Sequence, residues 1–528
     1  MRWPSPAPYF FRAADFFRRQ CRAPLFYLVI ACFALQLALT ILQCHNLVDD
    51  AYISARYAKN FAQGFGLVYN RGPGVERVEG YSNFLWVLML ALGWKIGFSM
   101  RFTAQFLGVL FALLTSLLLF LWVRKAPRSA GLGLAASGLL ATNIYFAVWN
   151  VEGLETPLFS LLLIAAIYAL SLGRNRLAMI LALLAALTRP DGLLLFFSMA
   201  LIQFFDLRKS WPEFAKSAAQ WLYFIIPYAI YFLWRAIYYR SFLPNTFYAK
   251  TGLGWAGMRE AAIYFSGLAL KDQGILLIIA AALFGLLRAR KSERSLSTGA
   301  LFGGMYFLFV FLAGGDWMPG FRLLVPTFPV IYGLGIILLT RQSGPEKSPT
   351  RNWATLLIVG IALAANLFQA GKYTALKSFD KNWHRSQARF YRPTADWLKK
   401  YVWQSQPVAV GDIGYIGYFG DQDRIIDTMG LVDRRLGRLP GIASLNTDLD
   451  YIFDQDPFAI LCLVHKYPDG IEIGHSEFDR QVSRDPNFKK NYHLALEIFA
   501  WDSQEISRTD WKKRSSRVYF KIYLHNRL

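Results

Sequence analysis

The sequence predicts an α-helical polytopic membrane protein that carries a C-terminal α/β soluble domain. Of its 528 residues 55% are hydrophobic and only 17% are charged, and long apolar runs recur up to residue 370. Beyond that point apolar residues become scarcer and acidic residues more frequent. We therefore predict a membrane domain over residues 1–370 and an extracytoplasmic soluble domain over residues 371–528.

Eleven apolar runs approach the length of a membrane-spanning helix. A hydrocarbon core of about 30 Å needs roughly 20 residues at about 1.5 Å each. The runs cover residues 25–44, 103–123, 131–149, 155–172, 176–189, 192–206, 219–238, 271–288, 299–313, 321–340 and 353–370. Basic residues precede the first run, which we interpret as a retained signal anchor with a cytoplasmic N-terminus.

The formal charge of +22 belongs mostly to the membrane domain. Residues 1–370 contain 33 Lys and Arg against 15 Asp and Glu. Basic residues concentrate in alternate loops, as expected for the cytoplasmic side of a membrane protein. The charge therefore indicates orientation, and nucleic acid is not an expected partner.

The apolar stretch 84–98 is not predicted to cross the membrane. Counting it would place every later basic loop on the external side. Gly93, Lys95 and Gly97 interrupt it, which favours a juxtamembrane or re-entrant helix. Residues 45–102 then form a long first external loop.

The tail shows two short buried-strand patterns. Pro407–Asp412 predicts a strand that runs into a Gly-rich turn, and Ile425–Asp427 predicts another. Four cysteines without metal-ligand spacing indicate neither a disulfide framework nor a metal finger. The tail therefore predicts an α/β domain.

The predicted topology collects ionisable residues on the external side. A carboxylate there can act as general base toward a hydroxyl, and Arg or Lys can bind a phosphate. The set comprises Asp49, Asp50, Glu79, Glu152, Glu155, Arg189, Asp191, Lys250, Asp316 and Arg322. This combination favours group transfer in a cavity open to the external face.

Structural explanations remain open for several of these residues. Asp49 or Asp50 can cap an amphipathic helix that lies on the membrane. Glu155 can simply begin a helix. Arg189 and Asp191 can form the local ion pair of a tight turn.

Several motifs resemble the GT-C superfamily of membrane glycosyltransferases, and most closely the polyprenyl-phosphate-arabinose-dependent arabinofuranosyltransferases. The resemblance spans about residues 25–435. The motifs are DDAYISARYAKN (49–60), GFGLVYN (64–70), ERVEGYSNFLW (76–86), GLETP (153–157), RPDG (189–192), PNTFYAK (244–250), GGDWMPGFR (314–322) and DTMGLVD (427–433).

The resemblance implies a GT-C fold with about 11 transmembrane helices and juxtamembrane helices in the first external loop. It implies that Asp49, with Asp50 beside it, takes a proton from the acceptor, and that Glu155 is the second acidic position. The predicted ligands of the donor phosphate are Lys250, Arg322, Arg189 and Arg56. Further predicted substrate contacts are Glu79, Tyr81, Asn245, Tyr248, Asp316 and Trp317.

The resemblance further implies a sugar donor on a polyprenyl phosphate and an acceptor hydroxyl on an envelope glycan, lipopolysaccharide or surface protein. The expected location is the bacterial inner membrane, with the active site on the periplasmic side. No cofactor is required by the residues themselves, and a divalent metal beside the acids is left open. The rival interpretations are a transporter or flippase of a lipid-linked sugar and a polytopic sensor.

Overall fold

The computed structural model describes residues 23–45, 47–125, 129–208, 210–250, 255–288, 293–316, 318–341, 349–376, 387–439, 447–506 and 513–527. Two predicted site groups, Trp317 and the side chain of Lys250, lie outside the described part of the chain.

The described part of residues 23–376 is helical apart from its loops. The longer helices are Ala23–Leu42, Met100–Lys125, Ala130–Thr142, Thr156–Ser171, Asn175–Thr188, Leu193–Leu207, Leu222–Tyr239, Trp255–Lys271, Gln273–Arg288, Arg294–Leu312, Phe328–Arg341 and Pro349–Leu376. Shorter helices are Ile144–Trp149, Trp211–Ala218 and Asn245–Lys250, and the first loop contains Asp49–Ala62 and Phe84–Lys95.

Each of the eleven predicted runs coincides with an apolar helix, so the predicted polytopic helical architecture is confirmed. Within the described residues, five helices are long and apolar enough to cross a membrane. A sixth candidate is a pair that bends by 101° between Lys271 and Gln273. The other coinciding helices are shorter apolar segments of 10–17 residues. The helix Trp255–Lys271, which forms the first half of the bent pair, was not among the predicted runs.

The helix Phe84–Lys95 is too short to cross a membrane, as the predicted topology requires. It contains 12 residues, which at about 1.5 Å each extend about 18 Å, well short of a hydrocarbon core. Its Trp86 side chain is fully buried and donates to the carbonyl of Gly153 at 2.9 Å. The helix therefore packs onto the bundle beside the first-loop helix, the name used here for Asp49–Ala62.

Two helix breaks meet in one buried polar network. Asn143 separates Ala130–Thr142 from Ile144–Trp149, and Asp272 lies at the 101° bend. The Asn143 amide donates to Asp272 at 2.8 Å and to the Tyr332 hydroxyl at 3.1 Å. Because an unpaired carboxylate is costly to bury, this network holds both breaks in place.

The C-terminal domain contains one mixed sheet. Its strands are β1 (Val408–Val410), β2 (Ile425–Asp427), β3 (Ala459–Lys466), β4 (Glu472–Gly474), β5 (Tyr492–Ile506) and β6 (Lys513–His525). The order is β2-β1-β3-β6-β5, with β4 paired to β3. β1 runs parallel to β2 and β3, whereas β6 is antiparallel to β3 and β5. The predicted α/β class and both predicted strands are confirmed.

One local prediction in this domain is wrong. The Gly-rich segment after β1 is not a turn but the helix Ile413–Gly420, which we call the capped helix. Gly414 lies against Asp49 of the first-loop helix, and Gly417 lies against the Tyr69 hydroxyl, at positions where a Cβ atom would not fit. Further helices of the domain are Arg392–Tyr401, Leu449–Asp454, Glu477–Val482 and Pro486–Asn491. A continuous apolar core joins this domain to the bundle.

Candidate active site

The first-loop helix begins with the two adjacent carboxylates and points them in different directions. Asp49 and Asp50 occupy its first turn, where the positive end of the helix dipole stabilises negative charge. Tyr57 and Ala58 are fully buried, so the middle of the helix packs into the core. The helix is thus fixed between the bundle and the C-terminal domain.

Asp50 faces Arg322, which follows the loop after helix Arg294–Leu312. The Asp50 Oδ2 and Arg322 Nη1 atoms are 3.8 Å apart. Arg322 Nε also donates to Asp316 Oδ2 at 2.7 Å. The guanidinium lies 5.9 Å from the centre of the Trp149 ring. The structure therefore brings together Asp50, Asp316 and Arg322, which are distant in the sequence.

Glu155 and Arg189 form a second ionic group beside the first. Arg189 Nη1 donates to Glu155 at 2.9 Å, and its Nε and Nη2 atoms donate to Asp191. Asn83 donates to the other Glu155 oxygen at 2.8 Å. Arg322 interacts electrostatically with both Glu155 and Arg189. The two groups therefore belong to one charged region, in which Arg189 orients Glu155.

Glu79 and Tyr81 lie in a separate buried cluster. The single Nε–H group of Arg235 is shared between both Glu79 carboxylate oxygens, at 2.7 and 3.0 Å. Burial raises the pKa of Glu79 to about 7, although the Arg235 charge opposes this rise. The Tyr81 hydroxyl is 3.1 Å from that of Tyr239. These contacts fix the first loop against helix Leu222–Tyr239.

Arg56, a predicted phosphate ligand, holds the C-terminal domain. Its side chain is buried and donates to the carbonyls of Tyr69, Gly417 and Gln422. Three main-chain acceptors occupy all three nitrogen atoms of the guanidinium. This geometry favours a role in docking over phosphate binding.

Asn245 and Tyr248 contact the DTMGLVD motif and its surroundings. The Asn245 amide donates to the carbonyls of Gly430 and Asp433 at 2.7 and 2.8 Å. The Arg438 guanidinium lies 4.7 Å from the Tyr248 ring centre. Asn245 therefore joins the helical bundle to the C-terminal domain.

Asp49 reaches the C-terminal domain directly. Its two carboxylate oxygens accept the main-chain N–H groups of Gly414 and Tyr415, at 3.0 and 2.7 Å. Burial raises the pKa of Asp49 well above its ordinary value, and the nearby Asp412 carboxylate raises it further. A carboxyl group with a raised pKa is a stronger base than an ordinary aspartate.

The acidic residues at the start of the first-loop helix have partners in the described structure. Among the residues that the structure describes, no group of three or more His, Cys, Asp or Glu side chains is arranged to hold a metal ion. Asp49 is occupied by two N–H donors, and Asp50 faces a guanidinium.

Three residues near the predicted site were missed by the sequence analysis. Asp412 precedes the capped helix, and Tyr391 donates to it at 2.7 Å. Arg235 lies within an apolar helix, where an ionisable residue by default deserves a functional or structural explanation. The sequence does offer one indication for Asp412: Gly414 and Gly417 follow it at a spacing of three, which places both on one face of a helix that can pack closely.

Comparisons with known proteins support the resemblance inferred from the motifs. The chain is 26% identical over 362 residues to terminal beta-(1->2)-arabinofuranosyltransferase of Mycobacterium tuberculosis. This alignment covers 60% of the chain, and it spans only 56% of the relative's length. The profile of a domain of unknown function (DUF8728) matches residues 381–520, within the tail.

Two solved structures have the same fold as this chain. ArnT from Cupriavidus metallidurans bound to undecaprenyl phosphate superposes with a TM-score of 0.56 at 13% identity. The apo state of that protein gives a TM-score of 0.57 at 14% identity. Each comparison covers 93% of this chain and 97% of the other. The predicted fold, a helical membrane domain followed by a C-terminal soluble domain, is confirmed, and it is shared with ArnT.

Proposed function

We propose that the protein is a membrane glycosyltransferase that moves a sugar from a polyprenyl-phosphate donor to an acceptor hydroxyl. The ArnT fold and the similarity to an arabinofuranosyltransferase support this class. The bound undecaprenyl phosphate of ArnT supports the choice of carrier. The acceptor is a hydroxyl of an envelope glycan, lipopolysaccharide or surface protein on the periplasmic face of the inner membrane.

One observation carries the proposal. The N-terminus of the first-loop helix places a basic carboxylate, Asp49, beside a carboxylate, Asp50, that faces Arg322. A base for the acceptor and a cation for the donor phosphate thus lie within one buried, charged region. Low local polarity strengthens such interactions in the transition state.

The proposed reaction is a displacement at the anomeric carbon. The acceptor oxygen attacks this carbon and a new glycosidic bond forms. The bond from the carbon to the phosphate oxygen breaks, and the lipid phosphate leaves with the bonding electron pair. Asp49 takes the acceptor proton, and Arg322 neutralises the charge that develops on the phosphate.

The remaining residues divide into supporting roles. Asp316 and Asp50 hold the Arg322 guanidinium in position from two sides. Arg189 and Asn83 orient Glu155. Lys250 is proposed as a second phosphate ligand on the basis of the motif that contains it.

The central test replaces each carboxylate by its amide in full-length protein in lipid vesicles. We expect Asp49→Asn to lower transfer by about 100-fold or more, the usual contribution of a general base. Asp50→Asn should weaken transfer less, because it changes how Arg322 is held. The exposed Asp396→Asn serves as the control and should transfer normally. Normal transfer by both Asp49→Asn and Asp50→Asn would exclude the proposed base.

Arg322 is tested through its effect on the donor. Arg322→Lys keeps the charge but loses the bidentate geometry of the guanidinium. We expect the KM for the polyprenyl-phosphate sugar to rise about tenfold with a smaller change in the KM for the acceptor. Unchanged KM and kcat for the donor in both Arg322→Lys and Arg322→Glu would remove Arg322 from the phosphate site.

A transporter of lipid-linked sugars is the second candidate function. It is favoured by the bent helix pair, because transporters place ionisable groups at broken helices. Asp272 and Asn143 occupy such breaks. Vesicles that contain the protein and donor lipid, measured with and without added acceptor, distinguish the two functions. Donor movement across the bilayer without acceptor-dependent sugar transfer would favour the transporter.

A further inference from the structure

The capped helix takes its N-terminal cap from the other domain. In an ordinary helix the preceding residue accepts the N–H groups of the second or third helical residue. Here those residues are Gly414 and Tyr415, and Asp49 accepts both N–H groups. The residue in the capping position, Asp412, makes no side-chain cap bond and instead accepts the Tyr391 hydroxyl at 2.7 Å.

Close packing makes this arrangement specific. A Cβ atom on Gly414 would overlap the main-chain and side-chain oxygens of Asp49, and one on Gly417 would overlap the Tyr69 hydroxyl. That hydroxyl donates to the carbonyl of Ile413 at 2.6 Å. The two glycines therefore allow the capped helix to approach the first-loop helix and deliver its N–H groups to Asp49.

Two carboxylates consequently share one helix N-terminus. The capped helix stabilises negative charge there, but one terminus offers only a limited number of N–H groups. Asp49 accepts two of them, whereas Asp412 relies on Tyr391. The charged and titratable groups that act on this pair are Asp50, Tyr69, Tyr391 and His475.

We propose that Asp412 is a positioning residue for the transfer reaction, which acts by placing a second carboxylate beside Asp49 at the shared helix N-terminus. This inference rests on the proposed function, because it assigns the C-terminal domain a part in preparing the base. Asp412 itself touches neither the donor nor the acceptor in this scheme. The C-terminal domain is thereby a component of the catalytic unit.

The charge on Asp412 affects the pKa of Asp49 in a predictable direction. Burial raises the pKa of Asp49, and the Asp412 charge raises it further. Removing that charge lowers the pKa of Asp49, so the base stays deprotonated to lower pH but accepts a proton less readily. The Tyr391 hydroxyl lowers the pKa of Asp412, in opposition to its burial. Removing the hydroxyl therefore leaves more Asp412 protonated and acts in the same direction.

The experiment measures transfer against pH in full-length protein in lipid vesicles. For Asp412→Asn we expect the acidic limb of the kcat profile to move about one pH unit lower, as for loss of a neighbouring like charge. On the alkaline plateau, where Asp49 is deprotonated in both proteins, kcat should fall several-fold because the base is weaker, with little change in the KM for the donor. Tyr391→Phe should show a smaller shift in the same direction, and Asp396→Asn should match the wild type.

A second measurement does not depend on activity. Infrared difference titration of the purified full-length protein follows the carboxyl band of protonated Asp49, which is identified by its loss in Asp49→Asn. Its midpoint should shift to lower pH in Asp412→Asn and, to a smaller extent, in Tyr391→Phe. If Asp412→Asn does not fold, Tyr391→Phe alone decides the outcome.

The two proposals can fail separately. A shifted Asp49 band without any sugar transfer would contradict the proposed function and leave the electrostatic coupling established. Transfer that requires Asp49, with an unshifted acidic limb and an unshifted band in every folded variant, would overturn the role of Asp412. A lower kcat at all pH values without either shift would also overturn it, since that is the behaviour of a purely structural residue.

Discussion

Adjacent residues on a helix can serve different domains. Successive positions are about 100° apart around the axis of an α-helix, so neighbouring side chains diverge. Asp49 accepts a main-chain N–H group of the C-terminal domain, whereas Asp50 faces Arg322 of the membrane domain. The two carboxylates that appear equivalent in the sequence therefore have different chemistry. One is a candidate base, and the other orients a cation.

At the same scale, the pair formed by Glu79 and Arg235 gives a stability prediction. Both side chains are almost fully buried, with 2% and 5% exposed. Glu79→Leu should lower the free energy of unfolding by about 3–5 kcal/mol, because it leaves the Arg235 charge unpaired. The double variant with Arg235→Met should recover much of this loss. Thermal unfolding in detergent measures both, and an equally unstable double variant would contradict the explanation.

Asp427 gives a prediction about pH. Burial raises its pKa to about 7, against the effect of N–H donors from Val432 and Met429. The folded protein then keeps this proton at pH values where the unfolded chain has lost it. Stability should therefore fall as the pH rises from about 4 to 7. Unfolding temperatures at pH 5 and pH 8 should differ less in Asp427→Asn than in the wild type, and equal differences would exclude this origin.

At the scale of elements, the C-terminal domain docks through an exchange of helix-terminal contacts. The first-loop helix supplies the cap of the capped helix, and its Arg56 donates to carbonyls in the segment that ends this helix. Asn70 adds a reciprocal pair of bonds to the main chain of Ile425 in β2. The interface therefore satisfies main-chain groups that would otherwise be buried without partners.

The glycines of the capped helix test this docking. Gly414→Ala should separate the capped helix from Asp49, lower transfer by at least tenfold and make the C-terminal domain more sensitive to protease. Gly420→Ala lies in the same helix, and its added Cβ would meet Leu398 at an ordinary 3.7 Å. We expect this control to behave as the wild type. Equal transfer and equal protease resistance in the two variants would show that the close approach is dispensable.

At the scale of the whole molecule, the charge distribution predicts orientation. Basic loops in the membrane domain indicate the cytoplasmic side, so the C-terminal domain should lie outside. A reporter enzyme that is active only outside the cytoplasm should be active when fused at the C-terminus and inactive when fused after Arg174. The reverse pattern would invert the topology and place the proposed site on the cytoplasmic face.

The sequence by itself determined the class of the molecule. Apolar runs, basic loops and strand patterns are local features, and they were sufficient to locate eleven apolar helices and the α/β tail. Asp49, Asp50 and Arg322 were also identifiable, because charged residues beside membrane helices are rare and their motifs resemble those of glycosyltransferases. Only the second helix of the bent pair at Asp272 was predicted, because the break divides the apolar segment into two shorter helices.

Only the tertiary structure decided what each of these residues contacts. The sequence predicted Arg56 as a phosphate ligand, but its guanidinium donates to three main-chain carbonyls, two of which belong to the C-terminal domain. The Asp49 cap joins residues more than 360 positions apart, and no local pattern specifies that contact. Composition and hydrophobic periodicity predict helices and strands, because these elements depend on residues that are close together in the sequence. The partners of a buried charge depend instead on how those elements pack, and this packing brought Asp412 to the candidate base.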